Sequence, residues 1–432
     1  MMNKPLLGCI ADDFTGASDL ANNLVRSGMR TIQTIGIPKS AQPFDTDAIV
    51  IALKSRTISA KDAVTQSLQA FEWLKEQGVE QYYFKYCSTF DSTPQGNIGP
   101  VTDALMDAIY GKGQGFTIVC PAFPENNRTV FKGHLFVGDV LLCESGMQNH
   151  PLTPMQDANL VRVMQAQTYR IVGLVDEACV SAGADSIRLR CQELQTQGIG
   201  IAVVDAICND DLMHIASALS DTVLITAGSG IAIGLSHQWK ARGLLQENVP
   251  ADKLPPVKGY QAVVSGSCSQ ATNTQVLDWC KQGLPAFKLD PFDIGSGSDI
   301  TQKVLAWALP KLVYGPILIY ATAPPEEVKI VQAKLGATHA GDLIEQALAK
   351  ITIGLVQAGV RQLLLAGGET AGAIVQALDI NSLIIGPQID PGVPWTCASS
   401  DFCKGDALHI SLKSGNFGTN DFFSKSFSFL SG

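Results

Sequence analysis

Apolar runs of strand length recur along the chain, and most are followed by segments whose apolar positions repeat every three to four residues. The run 48–53 reads Ala-Ile-Val-Ile-Ala-Leu with no polar break, and 6–11 and 116–120 are nearly as continuous. Runs without alternation indicate strands buried on both faces, as in parallel sheets covered by helices. The pattern predicts strands at 6–11, 31–35, 48–53, 82–86, 116–120, 170–175, 200–205 and 222–226. It predicts helices at 18–27, 60–77, 101–109, 184–197 and 211–220. Gly28, Gly78 and Gly198 stand where helices end with a left-handed residue. The stretch 245–259, LQENVPADKLPPVKG, breaks the alternation with three prolines and reads as a linker. Beyond it strands are expected at 261–264, 286–289, 317–320, 362–365, 382–385 and 407–412. Helices are expected at 270–281, 326–335, 341–358 and 371–378. Strand–helix alternation on both sides of the linker predicts two α/β domains, 1–244 and 260–432, with largely parallel sheets and an interdomain active-site cleft.

Composition narrows the function classes. The 432 residues are 46% apolar and 16% charged, which suits a well-cored globular chain. A net charge of −9 argues against a broad nucleic-acid surface. No apolar run approaches the roughly 20 residues that span a bilayer, so no membrane partner is expected. Only eight residues precede Cys9, too few for the apolar region of an export signal. The eleven cysteines form no C-x-x-C pair, which points to reduced thiols and a cytoplasmic protein. The six histidines form no H-x-x-x-H pair, so a zinc site is not expected.

Ligands of parallel α/β sheets bind at the carboxyl ends of the strands, which directs attention to the segment after each strand. In the first half those segments carry Asp12-Asp13, then Lys54-Ser55-Arg56, then Lys85 with Ser88, Asp91, Ser92 and Thr93, and finally Arg128. Cations hold a carboxylate and acids accept protons from hydroxyls, so this set suits a small hydroxylated anion such as a sugar acid. Helix capping alone accounts for a single Asp13, and turn chemistry for Asp91 with Ser92 and Thr93. Two adjacent acids, Asp12 and Asp13, exceed what one cap needs. One of them is expected to orient or deprotonate a hydroxyl while the other fixes the turn. In the second half, Ser265-Gly266-Ser267 and Gly367-Gly368-Glu369-Thr370 each join a strand to a helix. Such turns present free backbone N–H groups to a phosphate, and Lys404-Gly405 and 414–418 add glycine near the chain end. Neither turn is a Walker A or a G-x-G-x-x-G motif. An anion-and-hydroxyl site with a phosphate site suggests transfer of phosphate to a hydroxyl.

Three motifs carry a resemblance. Asp12-Asp13-Phe14-Thr15-Gly16-Ala17, Asp91-Ser92-Thr93 and Ala366-Gly367-Gly368-Glu369-Thr370 are similar to signatures of the four-carbon acid sugar kinases, and the resemblance covers essentially the whole chain. It implies an N-terminal sugar-binding domain and a C-terminal nucleotide-binding domain. It implies ATP-dependent phosphorylation of the terminal hydroxyl of a four-carbon acid, with Mg2+ and ATP held near Ser267, Gly367–Thr370 and Gly405. Asp12, Asp13 and Asp91 are the catalytic candidates. Lys54, Arg56, Lys85, Ser88, Ser92, Thr93 and Arg128 are the acid-binding candidates. The Cys-Ser-Thr-Phe-Asp-Ser-Thr form at 87–93 and Gln95, where threonate-type members usually carry arginine, resemble the 3-oxo-tetronate branch. D-threonate and D-erythronate are the alternative substrates. A sugar-acid lyase or aldolase using Lys85, and a non-catalytic sensor, are the rival classes. A homodimer is compatible with the sequence.

Overall fold

The computed structural model describes residues 4–38, 44–150, 152–245, 251–295 and 299–430. It divides into two compact units, Met1–Ala251 and Asp252–Gly432. The boundary falls inside the expected linker 245–259, of which 246–250 lie outside the described residues.

In the first unit eight strands run in the order Thr31–Ile35, Ala48–Ala52, Leu7–Ala11, Gln81–Lys85, Leu224–Ala227, Thr117–Cys120, Ile201–Val204, Val172–Val175. Every pairing among them is parallel. The unbroken apolar runs follow from that topology, since Leu7–Ala11, Ala48–Ala52 and Gln81–Lys85 are buried throughout. From Leu7–Ala11 the chain leaves toward Thr31–Ile35 at one edge. It returns through the helix Ala60–Glu76 to Gln81–Lys85 on the other side, then moves outward. Connections therefore diverge between Leu7–Ala11 and Gln81–Lys85, the point where a crevice opens at the carboxyl edge. A small antiparallel sheet, Arg128–Phe131, His134–Val137 and Val140–Leu141, stands apart from the large one.

The helix Phe14–Arg26 begins four residues before the expected start at 18. Asp13 is its N-cap, extended at φ −150°, and its carboxylate accepts the N–H of Gly16 at 2.8 Å. Every residue of this helix except Arg26 is buried, including Ser18, Asp19, Asn22 and Asn23. Two of these polar side chains find partners inside: Ser18 Oγ donates to Gln33 Oε1 at 2.8 Å, and Asn23 Nδ2 to the Ser229 carbonyl at 3.0 Å.

The second unit repeats the plan. Its order is Ala286–Lys288, Ile317–Tyr320, Tyr260–Ser265, Val360–Ala366, Ala407–Lys413, Val393–Ser399, Ser382–Asp390. The first five are parallel, and the last two pairings, on either side of Val393–Ser399, are antiparallel. Connections diverge between Tyr260–Ser265 and Val360–Ala366. The core beneath them gathers Trp279, Trp395, Phe422 and Phe423, with the Trp395 indole N–H on the Ser426 carbonyl at 2.8 Å. The strand Val393–Ser399 and the helix Ile300–Leu312 were not expected. The first comes after the Pro391-Gly392 turn and itself contains Pro394; the second contains Pro310.

Candidate active site

At the divergence of the first unit, Ala11 lies beside Lys85 in register and the Asp12 N–H donates to the Lys85 carbonyl at 3.1 Å. Arg56 is the centre of the constellation. Its Nε and Nη2 donate to the two oxygens of Asp12, both at 2.9 Å. Nη2 also reaches Asp13 Oδ1 at 2.8 Å, and Nη1 lies 3.5 Å from Asp91 Oδ2. Asp12, Asp13 and Asp91, from two distant segments, thus meet on one guanidinium. The loop that carries Arg56 is pinned by the Asn97 amide, which donates to the carbonyls of Ser55, Arg56 and Ile58 at 2.8–3.2 Å. The Ser55 and Arg56 N–H groups add bonds to the Asp12 carbonyl.

The two adjacent acids divide as their surroundings dictate. Burial pushes the Asp12 carboxyl above its ordinary range, and Arg56 only partly offsets it. Burial acts on Asp13 as well, but the charges of Arg56 and Lys85 with bonds from Thr15 and Gly16 hold it below the ordinary range. Asp13 therefore fixes the turn. Lys85 is buried, and its ammonium lies across the first helical turn: a Cβ on Gly16 would sit 2.4 Å from Lys85 Nζ and 2.2 Å from Asp13 Oδ1. Only glycine leaves room there.

The segment after Lys85 is bent by Phe90 and Asp91, both in the left-handed region at φ 63° and 47°. Two non-glycine residues there cost on the order of 1–3 kcal/mol each, so the surroundings must hold them. Phe90 is fully buried against Tyr86, ring centroids 5.5 Å apart, and Thr89 Oγ1 donates to Asp91 Oδ1 at 2.8 Å. The anchored ring turns Asp91 back toward Arg56. Cys87 is pushed up to about 12, mainly by burial and then by Asp91, and stays a neutral thiol.

The remaining acid-binding candidates separate. Ser88 is buried. Ser92 Oγ donates to Gln167 Oε1 at 3.0 Å, which also takes the Gly99 N–H, so its hydroxyl ties loops together. Thr93 is half-buried, and its carbonyl takes the Gly96 N–H. Lys54 is exposed. Arg128 begins the small sheet and bonds the Asn126 carbonyl; burial holds it below its ordinary value against the pull of Cys87, Asp19 and Asp91.

Asp19 was not expected. It is raised to about 6, chiefly by burial, with Lys85 and a bond from Ser229 Oγ opposing. Its Oδ1 has no hydrogen-bond partner among the described residues. The glycines beside Ser229 permit this packing: a Cβ on Gly230 would lie 2.3 Å from the Ala122 carbonyl oxygen.

At the divergence of the second unit, Ser265 lies beside Ala366, and the Gly266 N–H donates to the Ala366 carbonyl at 3.1 Å. Two helices start here, Gln270–Lys281 capped by Ser269 and Gly368–Ala377 capped by Gly367. Gly367 has φ 117°, and a Cβ on it would lie 3.1 Å from the Ser267 nitrogen. The second helix starts three residues before its expected position, so Gly368, Glu369 and Thr370 form its first turn. Glu369 is exposed, while Thr370 is buried with its hydroxyl under Gly266.

Gly405 does not join this group. It precedes Ala407–Lys413, which runs parallel to Val360–Ala366, so it stands at the amino end of the sheet, about 20 Å from the turn at Gly367. The glycine that meets Ser267 is Gly415, at the other end of that strand: its Cβ would lie 2.5 Å from Ser267 Oγ and 3.1 Å from Ser269 Oγ. A glycine on its own cannot signal which end of a strand it serves.

Lys413 was also missed. It is fully buried at the end of its strand, and Nζ donates to Thr272 Oγ1 and to the carbonyls of Ser414, Gly415 and Phe417 at 2.8–3.1 Å. Burial pushes its ammonium down to about 7 against the pull of Asp390. Its own carbonyl accepts the Gly367 N–H at 2.9 Å.

Comparison with known proteins falls along the same division. A family model described as a sugar-binding N-terminal domain matches residues 7–235, and one described as a nucleotide-binding C-terminal domain matches 262–423. A 3-oxo-tetronate kinase of Pseudomonas fluorescens is 53% identical over 431 residues, covering 99% of this chain and 98% of its own. A 3-oxo-tetronate kinase of Burkholderia multivorans is 54% identical over 430 residues, 100% and 98% of the two chains. The crystal structure of the Haemophilus influenzae protein HI1011 matches with a TM-score of 0.75 at 45% identity, covering 98% of this chain and 100% of that one. No described helix is long and apolar enough to cross a membrane. With both halves matched and relatives above 50% identity along nearly the full length, the chain belongs to the four-carbon acid sugar kinase family.

Proposed function

We propose that the chain transfers the γ-phosphoryl group of ATP to the C4 hydroxyl of 3-oxo-tetronate, giving the 4-phosphate and ADP. The observation that carries this reading is the contrast in content at the two divergence points. One gathers acids and cations around Arg56; the other gathers glycines and hydroxyls at two helix N-termini. The names of the 3-oxo-tetronate kinases that match along nearly the whole chain support the substrate, as does the Cys-Ser-Thr-Phe-Asp-Ser-Thr stretch.

In this mechanism Lys85 and Arg128 take the carboxylate of the acid, with Ser88 and Thr93 as hydroxyl partners. Asp12, raised by burial, orients the C4 hydroxyl and accepts its proton as the O–P bond forms. Asp13 keeps the helix start in place, and Asp91 with Arg56 holds Asp12 in orientation. The phosphates lie at Ser267, Gly367 to Thr370 and Gly415, where the first N–H groups of two helices neutralise charge on the transferred oxygens. Among the described residues no three His, Cys, Asp or Glu side chains converge as a metal site. Mg2+ would be held mainly by nucleotide oxygens, with the exposed Glu369 in the first turn beside Gly367 as the protein carboxylate. The ion would screen the phosphate charges during transfer.

An ADP-release assay with 3-oxo-tetronate, D-threonate and D-erythronate, each with and without Mg2+, tests the reading. The expected result is Mg2+-dependent turnover with the highest kcat/KM on 3-oxo-tetronate. Higher kcat/KM on D-threonate moves the chain to another branch, and no ATP turnover on any acid removes the kinase.

A further inference from the structure

We infer that Lys413 is a positioning residue for nucleotide binding, its ammonium serving as a built-in monovalent cation that aims the amides of Gly415, Asn416 and Gly418 at a phosphate. The inference rests on the nucleotide reading of the second unit.

Lys413 touches all three pieces of the phosphate corner. Its main-chain carbonyl holds the Gly367 N–H, its side chain holds Thr272 in the first turn of the helix Gln270–Lys281, and it gathers three carbonyls of the next loop. Those carbonyls belong to Ser414, Gly415 and Phe417. In a planar trans peptide the N–H of the next residue points opposite to the C=O. Drawing these oxygens inward therefore turns the N–H groups of Gly415, Asn416 and Gly418 outward. Among the described residues, none of these three N–H groups finds a backbone acceptor.

Neighbouring groups complete the arrangement. Gln275, also buried, donates its amide to the carbonyls of Phe417, Gly418 and Thr419 at 3.0–3.1 Å. Beyond the loop, Asp390 takes the Thr419 N–H at 2.8 Å and pairs with Lys425 at 2.6 Å. Ser269 Oγ and Thr272 Oγ1 both donate to the Gly415 carbonyl. A loop whose carbonyls face inward and whose amides face out is an anion nest. Three carbonyls and a hydroxyl around one cation also form the kind of oxygen shell that a free potassium or ammonium ion accepts. Lys413 supplies that cation covalently, so the chain should need none from solution.

The test is Lys413→Ala, assayed in choline chloride and then in ammonium or potassium chloride at equal ionic strength. The expected result is a KM for ATP raised at least about tenfold, the loss of roughly one charged hydrogen bond. The KM for 3-oxo-tetronate stays within about twofold, and ammonium or potassium restores most of the ATP affinity. The unsubstituted enzyme shows one KM for ATP in all three salts. An unchanged KM for ATP in the folded variant, or a loss that no cation repairs, overturns the inference. Should Lys413→Ala not fold, Thr272→Val decides instead: removing one oxygen of the shell raises KM for ATP alone by about threefold, and no change overturns it. Calorimetry separates the two readings, because an unsubstituted chain that binds no ATP sinks the nucleotide site itself, whereas normal ATP binding with indifferent variants sinks only the role of Lys413.

Discussion

The two divergence points share a topology and differ in chemistry. In each, a first strand sends the chain to one edge, and its neighbour sends it to the other. The first is lined by acids and cations: Asp12, Asp13 and Asp91 around Arg56, with Lys85 and Arg128 among the charges that act on Asp19. The second is lined by backbone, glycine and hydroxyl, and its buried Lys413 lies beneath a loop. The sheet supplies a location, and the residues decide what it recognises. Side-chain charge can tell a carboxylate from a hydroxyl. Backbone amides grip a phosphate and tolerate most side chains, provided no Cβ intrudes. The first site should thus respond to charge changes and the second to added bulk.

The largest effect should come from Arg56→Met. It leaves the buried Asp12 and Asp91 and the half-buried Asp13 without the guanidinium that joins them, which costs about 3–5 kcal/mol when a buried pair is broken. Denaturant unfolding should show that loss, together with no measurable turnover. A loss under about 1 kcal/mol would mean the charges do not hold one another. Next, Asp12→Asn should lower kcat by about 10²–10⁴ while the calorimetric Kd for ATP stays put. If ATP binding collapsed as well, the contrast between the sites would fail.

Asp19 sharpens the contrast through pH. Its carboxyl is raised from 3.8 to about 6 in the folded chain. Between those values the folded state keeps a proton that the unfolded state has lost, so this group's contribution falls as pH rises from about 4 to 6 and is gone above about 6. The difference is at most roughly 3 kcal/mol. Asp19→Asn should flatten that part of the stability–pH curve, as thermal melts across the window would reveal. An unaltered curve would mean Asp19 titrates normally.

The smallest effect belongs to glycine. Gly367→Val should weaken ATP by about 1–2 kcal/mol, because φ 117° and the Ser267 nitrogen leave no room. Acid binding should not move. Gly405→Ala faces open space at the far end of the strand, so ATP affinity should stay unchanged. Calorimetry with each ligand on both variants decides it, and equal ATP losses would break the assignment of ends.

Buried parallel strands were legible because an unbroken apolar run has few other homes. Asp12 and Asp13 were legible because two acids at a strand end exceed what one cap needs. What escaped depends on pairings remote in the chain. Asn97 acts on carbonyls about 40 residues away, Asp19 meets Ser229 across 210 positions, and Lys413 reaches Thr272 across 141. Each reads as an ordinary polar residue until the sheet brings its partner near. Helix starts were misjudged at both sites for one reason: Asp13 and Gly367 are caps, so the acidic or glycine turn itself was already helix.

The strand Leu224–Ala227 lies between Gln81–Lys85 and Thr117–Cys120, although it is made long after both of them. Hydroxyls stitch it in: Tyr86 and Tyr83 bond the Thr226 and Gly228 carbonyls, and Thr226 and Thr117 bond the Ile118 and Leu224 carbonyls. Ala407–Lys413 is likewise the last strand of its unit and sits inside the sheet. A ribosome emitting this chain at about 5–20 residues per second must therefore release each half with a slot in its middle, and hold it open for seconds until the closing strand emerges. Neither half can ripen gradually from its amino end. A nascent chain stopped at residue 220 would carry nearly all the acids and cations of the first site and still expose two unpaired strand edges beside Lys85, the sort of surface that chaperones shield.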